Sequence, residues 1–245
     1  MRRLVELLEA YEPGYQSVLA GAPRWSLSLL AQTVAVDLPP FYQEFCSTMA
    51  AGGGTLLTGL SHYHPEEIAD LYDKASWMPP SPDLFIFGDA SPRQSHYFLD
   101  LSSPSPDDDA AVCRFPFGPQ GAQFRQHHAD SLRDMLFLRA MDRVCLPSCL
   151  YRSRFAEPPD QIDRADPPTG EVLRNLLVRL EFIQQPEATS FGLFLRSDLA
   201  LALVYPPLAG RPLTCLAATR DRREMIRLKA LLAEYTSLAE VRRAS

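Results

Sequence analysis

The sequence predicts an α+β protein: an antiparallel strand meander covered by helices, with an α+β extension at the C-terminal end. Three observations predict it. The run Leu84-Phe85-Ile86-Phe87-Gly88 is too short for a helix and has the aromatic and β-branched content of a strand buried on both faces. Two more strand-like runs follow across polar turns, His96 to Leu101 and Ala111 to Phe115, and in the first of them Tyr97, Leu99 and Leu101 share one face. Segments with helical apolar spacing flank this meander, so its apolar face has cover within the chain.

Taken in order, Leu4, Val5, Leu7, Leu8 and Tyr11 have the spacing of a helix that Pro13-Gly14 stops. A second apolar stretch holds Trp25, Leu27, Leu29 and Leu30. Asp37 is placed to accept from the free amides of the next helix, and Pro39-Pro40 suits its first turn. That helix carries Phe41, Phe45 and Met49 four apart, widened by Tyr42 and Cys46, and Gly52-Gly53-Gly54 is expected to close it in the left-handed conformation. Thr55 to Leu60 reads as a strand, and Pro65 opens a helix with Ile68, Leu71, Tyr72 and Ala75 on one side. Beyond the meander, Ala129, Leu132, Leu136 and Ala140 form another helical stripe.

Two Pro-Pro pairs and few apolar residues mark 157–170 as a linker between a first domain, 1–156, and an extension, 171–245. In the extension, Thr169 is placed to cap a helix bearing Val172, Leu173, Leu176, Leu177 and Leu180. Three strands are expected at Phe191 to Leu195, Leu199 to Tyr205 and Leu213 to Ala218, before a last helix with Met225, Leu228, Leu231, Leu232 and Tyr235.

The formal charge of −6 argues against nucleic acid as the main partner, because phosphate binding requires a basic surface. The charge is uneven: from Arg211 to Ser245 there are 8 basic and 4 acidic residues, against 16 and 26 upstream. The 5 cysteines have no framework-like spacing, and Cys46, Cys113 and Cys215 lie in apolar segments, which points to a reducing compartment. Acidic residues interrupt the apolar start of the chain, and no window has the length of a membrane span, so a cytoplasmic protein without a membrane partner is expected.

The order of elements resembles the SMI1/KNR4, or SUKH, superfamily over about residues 25–145. The shared features are Leu38-Pro39 opening an aromatic helix with Phe41-Tyr42 and Phe45, glycines closing it, a strand ending Ile86-Phe87-Gly88-Asp89, and a strand reading Tyr97-Phe98-Leu99-Asp100-Leu101-Ser102. Ala51 stands where the family has an asparagine, and Ala-Ser-Pro-Arg follows Asp89 where it has glycines. The resemblance implies an α+β fold with a mixed, strongly bent sheet backed by helices, and a role in binding another protein. Many bacterial members are immunity proteins that neutralise a cognate toxin, while fungal members act as scaffolds. A regulatory adaptor that uses the extension to recruit a second partner is the alternative, and a homodimer is also allowed.

Candidate sites are few. His62-Tyr63-His64, His127-His128 and the pair Cys145 and Cys149 lack a third ligand at a fixed spacing, so no metal or other cofactor is expected. No nucleophile elbow is present, and Gly52-Gly53-Gly54 lacks the lysine of a phosphate cradle, so no catalytic residue is assigned. Asp89 and Asp100 are the candidate carboxylate pair for acid–base work. The partner-binding residues expected are Asp89, Arg93, Asp107, Asp108 and Asp109, in an acid-rich region with Asp37, Asp83 and Asp100. An acidic surface there would meet a basic toxin cleft.

Overall fold

The computed structural model describes residues 1–75, 78, 83–89, 95–105, 108–118, 120–158, 169–186, 191–206 and 212–241, with backbone only at 103–105. The chain is α+β and divides into two compact units, Met1–Val144 and Cys145–Ser245.

The first unit begins with α1 (Arg2–Tyr11), which buries Leu4, Leu7, Leu8 and Tyr11 along the predicted stripe. Beyond it, the Glu9 carboxylate accepts from the Gly14 and Gln16 amides at 2.7 and 2.9 Å and orders the Pro13-Gly14 turn. β1 (Leu19–Ala20), α2 (Arg24–Val34) and α3 (Pro40–Met49) follow. Helix α3 buries Phe41, Tyr42, Phe45, Cys46 and Met49. Asp37 does not cap this helix: Pro39 is the N-cap, without a side-chain bond, and the Phe41 amide donates instead to the Asp108 carbonyl at 3.2 Å.

The glycines do not close α3 either. The helix ends at Ala50, still right-handed at φ −77°, and β2 (Gly52–Gly53) pairs antiparallel with β1. A Cβ on Gly53 would lie 2.4 Å from the Leu57 side chain, while Gly54 takes φ +54°. Glycine is therefore needed here for close approach and for a left-handed turn. The Tyr15 hydroxyl donates to the Gly53 carbonyl and accepts from the Leu56 amide, which holds Gly54–Leu57 as a 3₁₀ turn where a strand was expected.

β3 (Leu60–Ser61) and α4 (Pro65–Lys74) lead to the meander: β4 (Asp83–Asp89), β5 (Ser95–Ser105), β6 (Asp109–Pro116) and β7 (Gln126–Ala129). The sheet order is β3-β4-β5-β6-β7, every pair antiparallel. Register shifts interrupt the β4–β5, β5–β6 and β6–β7 ladders, and an extra residue on one strand of a pair bends that strand and increases its twist. The register shift between Phe85 and Phe87 separates two aromatic clusters. Phe85 packs with Phe98 and Phe117, whereas Phe87 meets Phe45 of α3 edge-on at 5.3 Å. The middle of β5 is buried on both faces, since Phe98 is as enclosed as Leu99. Ala129 belongs to β7, and α5 (Leu132–Ala140) starts after the Ser131 hydroxyl, which accepts from the Asp134 amide. A π-helical turn, Met141–Cys145, follows α5.

The second unit comprises α6 (Leu146–Ser148), β8 (Tyr151–Ala156), α7 (Thr169–Arg179), β9 (Ile183–Gln184), β10 (Gly192–Leu195), β11 (Leu201–Tyr205), β12 (Thr214–Thr219), α8 (Arg222–Tyr235) and β13 (Ala239–Glu240). Its six-stranded antiparallel sheet has the order β13-β8-β12-β11-β10-β9. Leu173 and Leu177 of α7 and Met225, Leu228 and Leu232 of α8 pack on Phe155, Phe194, Ala202, Cys215 and Ala217 in one core. Strand β8 pairs with β12 along its whole length, which places residues 151–156 in this unit and not in the first. The Pro-Pro segment thus lies within the second unit, between β8 and α7, and its residues 159–168 are outside the described residues. Thr169 is the first residue of α7 rather than its cap, and its buried hydroxyl donates to Glu157 at 2.6 Å and lies 2.9 Å from the Ser237 hydroxyl.

Candidate functional site

The acidic residues predicted to bind a partner have separate fates. Asp109 is buried: one oxygen accepts from the Ala110 and Leu132 amides at 2.8 and 3.3 Å, the other from the Arg133 amide at 2.9 Å. It satisfies free amides at the start of α5, so its carboxylate is a structural cap and not a contact surface. Burial raises its pKa although those amides act the other way. Asp108 is exposed at φ +57° in the β5–β6 turn. Asp107 and Arg93 lie outside the described residues.

Asp89 is turned inward. It pairs with Arg114 at 2.5 Å, and the Arg114 guanidinium lies over the Tyr97 ring, 4.6 Å from its centroid. His128 meets the same ring at 5.0 Å, and the His96 Nδ1 accepts from the Asp89 amide. Desolvation, with the Arg114 charge next, pushes the His128 imidazole down to about 4, and desolvation lowers His96 as well. The His128 ring is neutral at pH 7 in consequence.

Asp89 and Asp100 are not a pair. Asp100 faces Asp83 across the β4–β5 ladder, and Asp89 is at the other end of β4, roughly 20 Å away at strand rise. Arg125 bridges Asp83 and Asp100 at 2.9 and 2.5 Å. Burial raises the Asp83 carboxyl, with Arg125 opposing it. At Asp100, burial is outweighed by the Ser102 donors and Arg125, and its pKa falls.

The histidine and cysteine candidates also separate. The His64 Nδ1 accepts from the Glu66 amide and caps α4, His127 pairs with Asp130 at 2.9 Å, and all five cysteines are free and buried. Among the described residues, no three of His, Cys, Asp and Glu come together as a metal-binding group. Among them, too, no helix is long and apolar enough to cross a membrane.

Asp37 and Asp108 are exposed in the first unit, and four further exposed carboxylates stand together on the outer side of α4. Pro65, Ile68 and Ala69 are buried, and Glu66, Glu67, Asp70 and Asp73 are exposed. A groove of about 700 Å³ runs beside this helix, lined by Glu67, Asp70, Leu71 and Lys74, by residues 60–64, and by Ala50 and Ala51. Within it Lys74 pairs with Asp70 at 2.7 Å, and His62, at φ +50°, approaches Glu67 at 3.8 Å. The signal for this face is in the sequence as carboxylates at spacings of three and four, opposite an apolar stripe. The first unit as a whole has 18 acidic and 10 basic residues.

Comparison with protein-family models, with curated proteins and with solved structures finds no match to this chain.

Proposed function

We propose that the chain is a non-catalytic protein-binding protein whose first unit recognises a basic partner, acting as an immunity protein that occludes a toxin. The observation that carries this reading is the α4 face. Asp83, Asp89, Asp100 and Asp109 are committed to internal partners, while Glu66, Glu67, Asp70 and Asp73 stand exposed beside a groove. A charged face on a packed helix is already ordered, so it steers an oppositely charged partner without an added ordering cost. The resemblance to SUKH proteins in the order of helix and meander supports the same role.

The test is binding of the full chain to a basic toxin domain encoded beside it. Reversing all four carboxylates of α4 to lysine is expected to slow association about tenfold or more and to invert its salt dependence. Unchanged association, or the absence of any toxin-like partner in a pull-down with the neighbouring gene product added, would remove the proposal.

A second reading, a regulatory adaptor, is favoured by the second unit. That unit has its own sheet and core and an opposite charge balance, with 14 basic and 12 acidic residues. An adaptor requires a partner whose binding survives the α4 reversal and is lost on changing the second unit.

A further inference from the structure

Helices α7 and α8 pack on one core of the second unit and are joined at both ends. At one end the Thr169 hydroxyl lies 2.9 Å from the Ser237 hydroxyl, which ties the start of α7 to the end of α8. At the other, the Arg196 guanidinium lies over the Phe182 ring, just past α7, and pairs at 2.8 Å with Glu224 in the first turn of α8. The two helices therefore run antiparallel, with the last turn of α7 beside the first turn of α8.

The outer side of that end carries charge and apolar surface together. Arg174 and Arg179 of α7 and Arg222 and Arg223 of α8 are exposed, and none of the four has a carboxylate partner among the described residues. The carboxylates nearby are taken by other cations: Glu224 by Arg196 and Arg227, and Glu240 by Lys229. Arg222 and Arg223 stand in the first turn of α8, where the helix dipole is already positive and a cation is unfavourable. Val178 lies one turn along from Arg174, and Ile226 one turn along from Arg222 and Arg223. Each of the two is 58% exposed and sits within about a turn of the Arg196 bridge. Cations placed against the dipole, with no compensating partner among the described residues, point to an anionic partner outside it.

We infer that the outer side of this α7–α8 end takes an acidic amphipathic helix of a partner protein. Its apolar side chains rest on Val178 and Ile226, and carboxylates a turn apart on either side of them meet Arg174, Arg179, Arg222 and Arg223. A helix suits the surface better than a broad anionic one. The chain is −6 overall, so a bilayer or a nucleic-acid duplex brought to this end also meets the field of the acidic remainder, whereas a single helix covers only the arginines. Two exposed aliphatic side chains are also too little apolar area to hold a bilayer. The surface names the partner that the adaptor reading requires, rests on that reading, and is independent of the α4 face.

The experiment titrates the full chain, followed by amide NMR, with a synthetic peptide in which glutamates flank a leucine stripe at helical spacing. A peptide of the same composition in scrambled order is the control. The amphipathic peptide is expected to shift the amides of Val178, Arg179, Arg223 and Ile226 and to leave α4 unmoved. The scrambled peptide, which cannot present charge and apolar contact together, is expected to bind about tenfold more weakly. The triple change Arg179→Glu, Arg222→Glu, Arg223→Glu, at three exposed positions, is expected to weaken binding of the amphipathic peptide about tenfold or more. Amide spectra of the variant that match the parent away from this end show that its fold is kept. Equal binding of the scrambled peptide, shifts that map elsewhere, or no weakening in the variant would overturn the proposal. So would tighter binding of phosphatidylserine vesicles or of a DNA duplex by the same arginines. A natural partner of the second unit that binds the triple variant unchanged would overturn this surface while leaving the adaptor reading in place.

Discussion

Asp109 shows how a carboxylate in an acidic run becomes structural. Three successive aspartates read as a solvated loop, yet Asp109 is enclosed and accepts three amides, two of them from Leu132 and Arg133 at the start of α5. Nothing local to the sequence marks that contact, because its partners come from a distant helix. Asp109→Ala leaves those buried amides without an acceptor and is expected to destabilise the chain by about 2 kcal/mol, read as a lower urea midpoint. The equivalent change at exposed Asp108 is expected to stay within about 0.5 kcal/mol. The facing pair Asp83 and Asp100 gives a pH test with opposite signs. The Asp100 pKa is depressed, so its stabilisation is present above the ordinary carboxylate value and is lost as pH falls through the folded one. The Asp83 pKa is raised, so its contribution is present at low pH and is lost as pH rises through its folded value. Asp100→Asn is therefore expected to flatten the acid limb of a stability–pH curve, and a limb that steepens instead would contradict the Arg125 bridge. His128 is titratable by NMR, and its ring is expected to stay neutral until pH falls towards 4.

At the scale of elements, what the sequence makes legible is the type of each segment that buries a regular stripe. Helices α1, α3 and α8 follow from the spacing of their apolar faces, and strands β4, β10 and β11 from short apolar runs that are buried without alternation. Strand β8 and the ends of α3 and α5 are less legible, since β12, Tyr15 and Asp109 decide them from far along the chain. The candidate site shows the same division: the acidic side of α4 is written in its spacing, while the inward turn of Asp89 depends on Arg114, opposite Tyr97 on β6. Tyr72 supplies an element-scale prediction. Strand β3 pairs with Gly88 and Asp89, and farther along β4 the Tyr72 hydroxyl donates to the Asp83 carbonyl and accepts from the Phe85 amide. The hydroxyl stands in for a neighbouring strand. Tyr72→Phe removes both bonds and is expected to cost about 1–2 kcal/mol. Faster hydrogen exchange at Phe85 would accompany it, and an unchanged exchange rate there would show that the edge is satisfied in another way.

Across the whole chain, each sheet ends in short strands: β3 and β7 in the first unit, and β9 and β13 in the second. Short edges give another chain little backbone to pair with. The cysteines report on both units together. Burial pushes the thiols of Cys46, Cys113 and Cys215 up to about 12 and raises Cys145 and Cys149 as well, so none is a thiolate at neutral pH. Native protein is expected to resist alkylation at all five, and mass spectrometry along a urea series follows their release. Cys46 and Cys113 are buried in the first unit and are expected to label at one midpoint, while Cys215, within the core that α7 and α8 cover, labels at the midpoint of the second unit. If Cys46 were released well before Cys113, α3 would be leaving the sheet while the β5–β6 pairing persists. The packing of Phe45 on Phe87 would then be a contact weakly held against local opening.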